Sequence, residues 1–502
     1  MKTPLPYQTE GAEFLYRNKR ALLADEMGVG KTLQAILAAL KAGHETLVIC
    51  PASLKINWAR EIIDQDPEAQ IQIVDPGNEI HDYATGNGSQ WLIVNYDLLD
   101  KYKAEGLRLL LDYKTLIIDE AHSIKETSTL RTKASLKIGE YAENIYLITG
   151  TPVLNRPIEL YPLLKILRHP ITLSKQGKDN WYGYAFRYCG GYFREVKRWI
   201  FNHKTGRREL QQMRFLDTKG ATNLEELRQR IAPIYLRRLK KEVLPLPPKN
   251  VHAKKVTMSD THIQLYQNAW ERYLAYLERI KEELMQELGS EDAYFRKINN
   301  IEASQHLVEL QKLQQVTSAA KIRSVVEDAY KEAKRGNKVL IFTIYTDTID
   351  KMKRIFTHNK LKVAVLNGQT KNESRVKAVD ALQNDPDTNI FIGNIKAAGV
   401  GITLTAANKV YFIDSEWTPA LNQQAEDRAH RYGQANDVDI YYYLAEGTID
   451  EDKQEALEAK RKIINTILGE GEQTNIKKEE SVIKEVLKKT MQKANSFSTL
   501  KH

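Results

Sequence analysis

Cysteine is scarce in this sequence: Cys50 and Cys189 are the only two in 502 residues. That excludes a disulfide framework and a cysteine-based zinc module, and it fits a reducing compartment. No apolar run approaches the ~18–20 residues needed to cross a membrane. The opening stretch MKTPLPYQTEGAEF has no apolar core, so no secretory signal is expected. The expected location is cytoplasmic (nucleoid-associated or host cytoplasm for a bacterial or viral chain) or nuclear for a eukaryotic one. Short-period repeats are also missing; the chain reads as two α/β halves of similar size.

What is present fits a globular chain of two or three domains, with 42% hydrophobic and 28% charged residues. The net charge is +9, but it is unevenly placed. Lys165–Lys255 holds 22 Lys+Arg against 7 Asp+Glu, an excess of 15 that leaves the remainder about −6. Such a segment suits a polyanion-facing surface.

Short, unalternating apolar runs predict buried parallel strands at Ala21–Ala24, Thr46–Cys50, Trp91–Val94, Thr115–Ile118 and Ile145–Thr149. Helical patterns such as Thr32–Lys41 and Lys55–Asp64 lie between them, an α/β nucleotide-binding layout. The texture then changes. Trp181–Phe201 carries nine aromatics in 21 residues, interleaved with Arg187, Arg194, Lys197 and Arg198. Leu244-Pro245-Leu246-Pro247-Pro248 predicts a linker. Apolar spacing predicts a long helix over Ile263–Leu288 and a second through Leu307, Leu310, Leu313 and Val316. Strand patterns return at Lys338–Thr343, Val363–Leu366, Asn389–Gly393, Lys409–Ile413 and Val438–Tyr443, without a second phosphate loop. The expected division is 1–165 (first α/β domain), 166–250 (basic aromatic segment and linker), 251–320 (helical segment), 321–470 (second α/β domain) and 471–502 (a polar, Lys-rich tail).

The chemistry concentrates in three places. Ala21–Thr32 places a strand, a Gly-bearing turn and a helix start in the order that cradles phosphates, with Met27, Gly28, Val29 and Gly30 forming the turn. Lys31 is positioned for the β/γ-phosphates and Thr32 for Mg²⁺, while Asp25 stands where the strict pattern wants Gly. Leu116–His122 is an apolar strand ending in acids: Asp119 to hold Mg²⁺ through water, and Glu120 to orient and activate the attacking water. His122 is placed to couple this site to the next strand. Thr149-Gly150-Thr151-Pro152 ends that next strand, either sensing the γ-phosphate or capping a helix. Gln8 either reads an adenine edge or is an ordinary surface residue. Finally, Asn422–Gln434 carries Arg428 and Arg431 three residues apart, on one face if helical, a pair suited to acting as γ-phosphate fingers.

These residues in this order resemble the Swi/Snf family of superfamily-two, helicase-like ATPases. The matching segments include PYQTEGAEFL, LADEMGVGKTLQAI, LVICPASLKINWAREI, IVNYDLL, IIDEAH, LITGTPVLNRPIELY, YLRRLKKEVLPLPPK, LIFTIYT, NGQT, AGVGITLTAANKVYFID and QAEDRAHRYGQ, and run from Tyr7 to about Gln434. GTPVLNRPIELY and RRLKKEVLPLPPK look most like the branch of annealing helicases and fork-remodelling translocases. The resemblance implies an α/β fold of two tandem RecA-like P-loop NTPase lobes with helical protrusions. Gln8, Lys31, Thr32, Asp119 and Glu120 would form the lobe-one ATP site, completed by Arg428 and Arg431, with Gln424 in the same coupling motif. It further implies DNA contacts at Ser53, Lys55, Tyr96, Thr343, Thr346, Asn367, Gly368 and Thr403. Thr418 departs from the family, which usually has Asn there.

The expected activity is ATP- and Mg²⁺-dependent translocation on double-stranded or branched DNA by a monomeric motor, possible partners being other replication or repair proteins. The outcome would be branch migration, reannealing or displacement of bound proteins. The basic aromatic segment would touch DNA outside the cleft, its aromatics either stacking on splayed bases or forming a protrusion core. A strand-separating DNA or RNA helicase and a transcription-complex remodelling factor are the alternatives within the motor class. A non-catalytic DNA-binding scaffold is the alternative outside it.

Overall fold

The structure, a computed structural model, describes residues 3–74, 90–99, 110–150, 156–202, 207–288, 303–370, 372–399 and 401–468, together with 482, 485, 486 and 489. The chain forms two compact units, Met1–Leu244 with Lys462–Glu479, and Pro245–Arg461 with Glu480–His502. They divide within the proline-rich stretch, where Pro removes backbone donors and neither helix nor sheet can continue.

The first unit contains β1 (Arg20–Leu23), β2 (Thr46–Cys50), β3 (Ile71–Ile73), β4 (Trp91–Asn95), β5 (Thr115–Asp119), β6 (Asn144–Ile148), β7 (Tyr192–Asn202), β8 (Arg207–Asp217) and β9 (Tyr235–Leu236). Seven of these make one parallel sheet in the order β3-β4-β2-β5-β6-β1-β9. Every residue of β2, β4, β5 and β6 is buried. This is why their sequences are apolar without alternation: helices cover both faces of such a sheet. The helix Lys31–Ala42 follows β1, and Lys55–Gln65 follows β2. The pair β7–β8 stands apart as an antiparallel hairpin in register from Tyr192↔Asp217 to Asn202↔Arg207.

The second unit contains β10 (Lys249–Val256), β11 (Val339–Thr343), β12 (Lys362–Leu366), β13 (Thr388–Asn394), β14 (Lys409–Phe412) and β15 (Val438–Ala445), all parallel in the order β10-β15-β14-β11-β13-β12. Two long helices, Asp260–Leu288 and Ala303–Lys334, follow β10. The second of them does two jobs. Leu310 and Leu313 pack with Tyr266, Tyr273 and Leu277 of the first helix, whereas Val325, Val326 and Ala329 lie on the sheet with Ile341 and Ile392. One continuous helix therefore packs on the first helix at one end and on the sheet at the other.

The stretch between is polar at one point. Lys321 is buried, with its ammonium 2.5 Å from Asp450 Oδ2 and 3.7 Å from Asp414 Oδ1. The hydroxyls of Thr317 and Ser318 donate to Asp450 and Asp414. Burial pushes the amine of neighbouring Lys453 down to about 8, and that amine lies 4.3 Å from the centre of the Trp417 ring. Removing one member of a buried ionic group leaves the others uncompensated. Lys321→Met is therefore expected to destabilise the second unit by about 3–5 kcal/mol. A lowered urea midpoint of its unfolding transition would report this; an unchanged midpoint would refute it.

Candidate ATP site and nucleic-acid-facing loops

In parallel α/β sheets, ligands sit beyond the carboxyl ends of the strands. In the first unit that edge gathers the turn after β1, the acids ending β5 and the hydroxyl ending β6. The turn needs two residues at positive φ, and Gly28 (φ 83°) and Gly30 (φ 77°) supply them at no steric cost. Gly30 then caps the helix Lys31–Ala42, aiming its first N–H groups at the turn. Met27 and Val29 are buried and fix the turn's apolar underside.

Gln8 is not a surface residue. It is buried, its Nε2 donates to Val29 O at 3.2 Å, and its Oε1 accepts from Leu5 N at 2.9 Å. A Cβ on Gly30 would come within 2.3 Å of Gln8 Nε2, so the amide lies directly against the turn. The Lys31 ammonium donates to the carbonyls of Asp25 (2.8 Å) and Glu26 (3.1 Å). Burial lowers its pKa, opposed by Glu120, Asp25 and Asp119. Thr32 follows it in the first turn of the helix, half-buried.

Asp119 and Glu120 end β5. The Asp119 carboxylate accepts from the Trp58 indole at 2.8 Å and from Glu120 N at 2.8 Å. Burial, then the adjacent Glu120 charge, raise the Asp119 pKa; the Trp58 bond and Lys31 oppose the rise. The two acids and Lys31 thus act on one another electrostatically. Glu120 adopts φ 51°, a conformation that a non-glycine residue pays for in backbone strain. Its carboxylate lies 3.3 Å from His122 Nδ1, which is 3.1 Å from Thr149 Oγ1. A run of contacts therefore links Glu120 to the residue after β6. Thr151 and Pro152 lie outside the described residues.

The donors fit Mg²⁺ in kind: a carboxylate and a Thr hydroxyl are hard oxygen ligands. Among the described residues no group of three or more His, Cys, Asp or Glu could hold a metal.

The structure adds residues that sequence reasoning passed over. Arg238, just after β9, binds both oxygens of Asp25 (3.1 and 2.6 Å), Gln34 Oε1 (2.7 Å) and Tyr7 O (2.5 Å). Asp25, the departure from the strict phosphate-loop pattern, is thus one half of a buried bidentate pair. Arg237 donates to Ala24 O at 2.7 Å. Gly11 permits the approach, since a Cβ there would lie 1.7 Å from Gln34 Oε1. The RRLKKEVLPLPPK segment was the available signal, but its partners are some 200 residues away in sequence.

Of the eight residues expected to face DNA, three have buried side chains. Lys55 is 6% exposed and spends its ammonium on Val74 O at 2.6 Å. The Tyr96 hydroxyl donates to Asp119 O at 2.5 Å, so it holds the acids in place from beneath. Thr343 is fully buried and donates to Asp414 Oδ2 at 2.5 Å. The other five lie in loops at or near the carboxyl edges. Ser53 is half-buried after β2, and Thr346 is exposed at the start of the helix after β11. Asn367 and Gly368 follow β12 in a turn that Asn367 Oδ1 closes by accepting from Gln369 N and the Thr370 hydroxyl. Thr403 is half-buried in the stretch before β14.

The arginines also differ from expectation. The helix Pro419–Glu426 ends before them, so they share no helical face. They converge instead through turns. Arg428 is 9% exposed and donates to Gln424 O (3.1 Å), Ile402 O (3.1 Å) and Gly399 O (2.7 Å). Half-buried Arg431 donates to the same Ile402 O at 3.2 Å. Gln424 itself is buried. Just upstream, Glu426 is buried between Lys249 and Arg461, which hold its pKa down to about 2 against the cost of burial.

Residues 7–321 match the family described as SNF2-related domain, and residues 320–433 match the helicase conserved C-terminal domain. The chain is 32% identical over 461 residues to the SWI/SNF-related matrix-associated actin-dependent regulator of chromatin subfamily A-like protein 1 homolog of Caenorhabditis elegans, covering 89% of this chain and 59% of that one. It is 31% identical over 464 residues to the DNA annealing helicase and endonuclease ZRANB3 of Homo sapiens, covering 89% and 38%. The chain thus spans roughly two to three fifths of the length of these curated relatives. A solved structure described as the Sulfolobus solfataricus SWI2/SNF2 ATPase core in complex with dsDNA aligns over 93% of this chain and 94% of its own, at 24% identity and a TM-score of 0.41. Among the described residues no helix is long and apolar enough to cross a membrane.

Proposed function

The chain belongs to the SNF2-related family, and on that premise we propose that it is a DNA-dependent ATPase that translocates on double-stranded DNA. The observation that carries the proposal is the carboxyl edge of the first sheet. There a phosphate-cradling turn, a lysine and an acid pair converge, the lysine close enough to both acids to shift with their charge. Lys31 would leave the Asp25 and Glu26 carbonyls for the β/γ-phosphates, and the Gly28–Gly30 turn would supply N–H donors. Thr32 and Asp119 would hold Mg²⁺, which when bound would neutralise charge on the phosphates. Glu120 would orient the attacking water and accept its proton, with His122 relaying its position to Thr149. Gln8, pinned to the turn, would meet the adenine edge with its remaining amide proton and lone pair. From the second unit, Arg431 would supply a guanidinium to the hydrolysis step.

The loops bearing Ser53, Thr346, Asn367, Gly368 and Thr403 would contact DNA, positioned by strand ends in each unit. Hydrolysis would be spent on remodelling DNA: branch migration, reannealing or displacement of bound proteins, a range that includes what the name of the human relative describes. Steady-state ATPase with blunt duplex, forked, four-way, single-stranded and RNA effectors tests the reading. Duplex-containing DNA is expected to stimulate hydrolysis about tenfold or more, a barrier change of ~1.4 kcal/mol. Stimulation by RNA alone would overturn it.

A further inference from the structure

The aromatic-rich segment divides by helix face. In the helix Trp181–Tyr188, Tyr184 and Tyr188 are each 1% exposed and belong to the core of the first unit. Tyr182 and Phe186, four residues apart, are 59% and 45% exposed. They do not stand alone. Phe193 of β7 has its ring centre 6.5 Å from that of Tyr182 and 5.7 Å from that of Phe186, and is itself 44% exposed. The Arg214 guanidinium of β8 lies 4.9 Å from the centre of the Phe193 ring.

The other face of the hairpin base repeats the chemistry. Arg194 pairs with Phe215, so both point the same way, and Tyr192 shares their face two residues along β7. Tyr192 and Phe215 are 52% and 39% exposed. A two-stranded ribbon gains stability by burying one face. This one leaves large rings outside on both.

Exposed aromatics in such a cluster mark a binding surface, and the surrounding charge selects the occupant. Within the same unit, Lys165–Leu244 carries 19 Lys+Arg against 7 Asp+Glu, an excess of 12 positive charges. Flat rings interleaved with arginines on a positive ground match unpaired bases, whose π-faces stack on aromatics while their phosphates meet the cations. We infer that Tyr182, Phe186 and Phe193, with Arg214, form a stacking platform for unpaired bases of a DNA strand. The inference rests on the translocase reading for its DNA partner. It would let the enzyme engage single-stranded parts of branched DNA through a surface separate from the ATP site.

The test uses the full chain and a fluorescein-labelled oligothymidylate of about 20 nucleotides, with Kd read by anisotropy without nucleotide. Tyr182→Ala with Phe193→Ala is expected to raise Kd about tenfold or more. Tyr182→Phe with Phe193→Tyr is expected to keep it within about twofold, because the π-faces survive. Blunt-duplex-stimulated ATPase should stay within about twofold in both, showing that the fold is intact. Unchanged oligothymidylate affinity in the alanine variant overturns the platform and leaves the patch to an acidic protein partner. Equal loss of blunt-duplex-stimulated ATPase in that variant overturns it too. A wild-type chain that binds oligothymidylate through these rings, yet shows no DNA-stimulated hydrolysis, would remove the translocase reading and leave the platform standing.

Discussion

Glu120→Gln is expected to leave ATP binding near wild-type and to cut DNA-stimulated turnover by about 10²–10⁴-fold, the range for loss of a positioned general base. The substitution removes one charge and keeps the side chain's shape. The backbone at φ 51° is held from beneath by the Tyr96 hydroxyl, 2.5 Å from Asp119 O and 3.4 Å from Glu120 O. The amide should therefore occupy the carboxylate's place beside His122. Loss of one negative charge also relieves Asp119, whose pKa Glu120 helps to raise. ATP affinity should not fall, because less repulsion faces the incoming phosphates. A fluorescent ATP analogue and steady-state hydrolysis, measured on the same preparation, separate the two effects. Turnover within about tenfold of wild-type would place the base elsewhere. A parallel loss of nucleotide affinity would show that Glu120 holds the site together rather than working on water.

That site was half legible in the sequence, for a physical reason. Phosphate binding and acid-assisted hydrolysis need neighbouring residues at the end of one strand, so Gly28–Thr32 and Asp119–Glu120 appear as contiguous motifs. The groups that hold them come from far away: Trp58 is 61 residues from Asp119, and Arg238 is 213 from Asp25. No local pattern announces such pairs. Lys55 shows the opposite error. A lysine beside a strand end reads as a phosphate contact, yet its stem lies in the core and its head reaches the Val74 carbonyl. Strands divided along similar lines. Those buried on both faces, such as β2, β5 and β11, are written as apolar runs and were found within a residue or two. The strand β10, KNVHAKKV, is a largely exposed edge partner of β15 and falls outside the strand patterns read from the sequence. The hairpin β7–β8 carries no clear period-two alternation, and among its described side chains none is buried.

The two arginines, paired by the resemblance, are expected to separate when mutated. Arg428 places its donors on three carbonyls, those of Gly399, Ile402 and Gln424, and so ties the 399–402 stretch to the turn after Pro419–Glu426. Arg428→Ala should strand those acceptors in a buried place and lower the second unit's stability by about 3 kcal/mol or more, at 1.5–3 kcal/mol per charge-assisted bond. Its turnover would fall with the fold. Arg428→Lys should rescue little, because one ammonium cannot span three carbonyls that a planar fork reaches. Arg431 is half-buried, and Ile402 O is its recorded carbonyl partner. Arg431→Ala should keep the urea midpoint of the second unit near wild-type while DNA-stimulated turnover falls by about 10³-fold, the lower range for loss of an arginine finger. Stability and rate, measured on both variants, decide the assignment. If Arg431→Ala hydrolyses normally, neither arginine is shown to act on the phosphate. If Arg428→Ala is as stable as wild-type yet inactive, Arg428 leaves its carbonyls during turnover, and the three bonds describe a resting position from which the catalytic arginine is withdrawn.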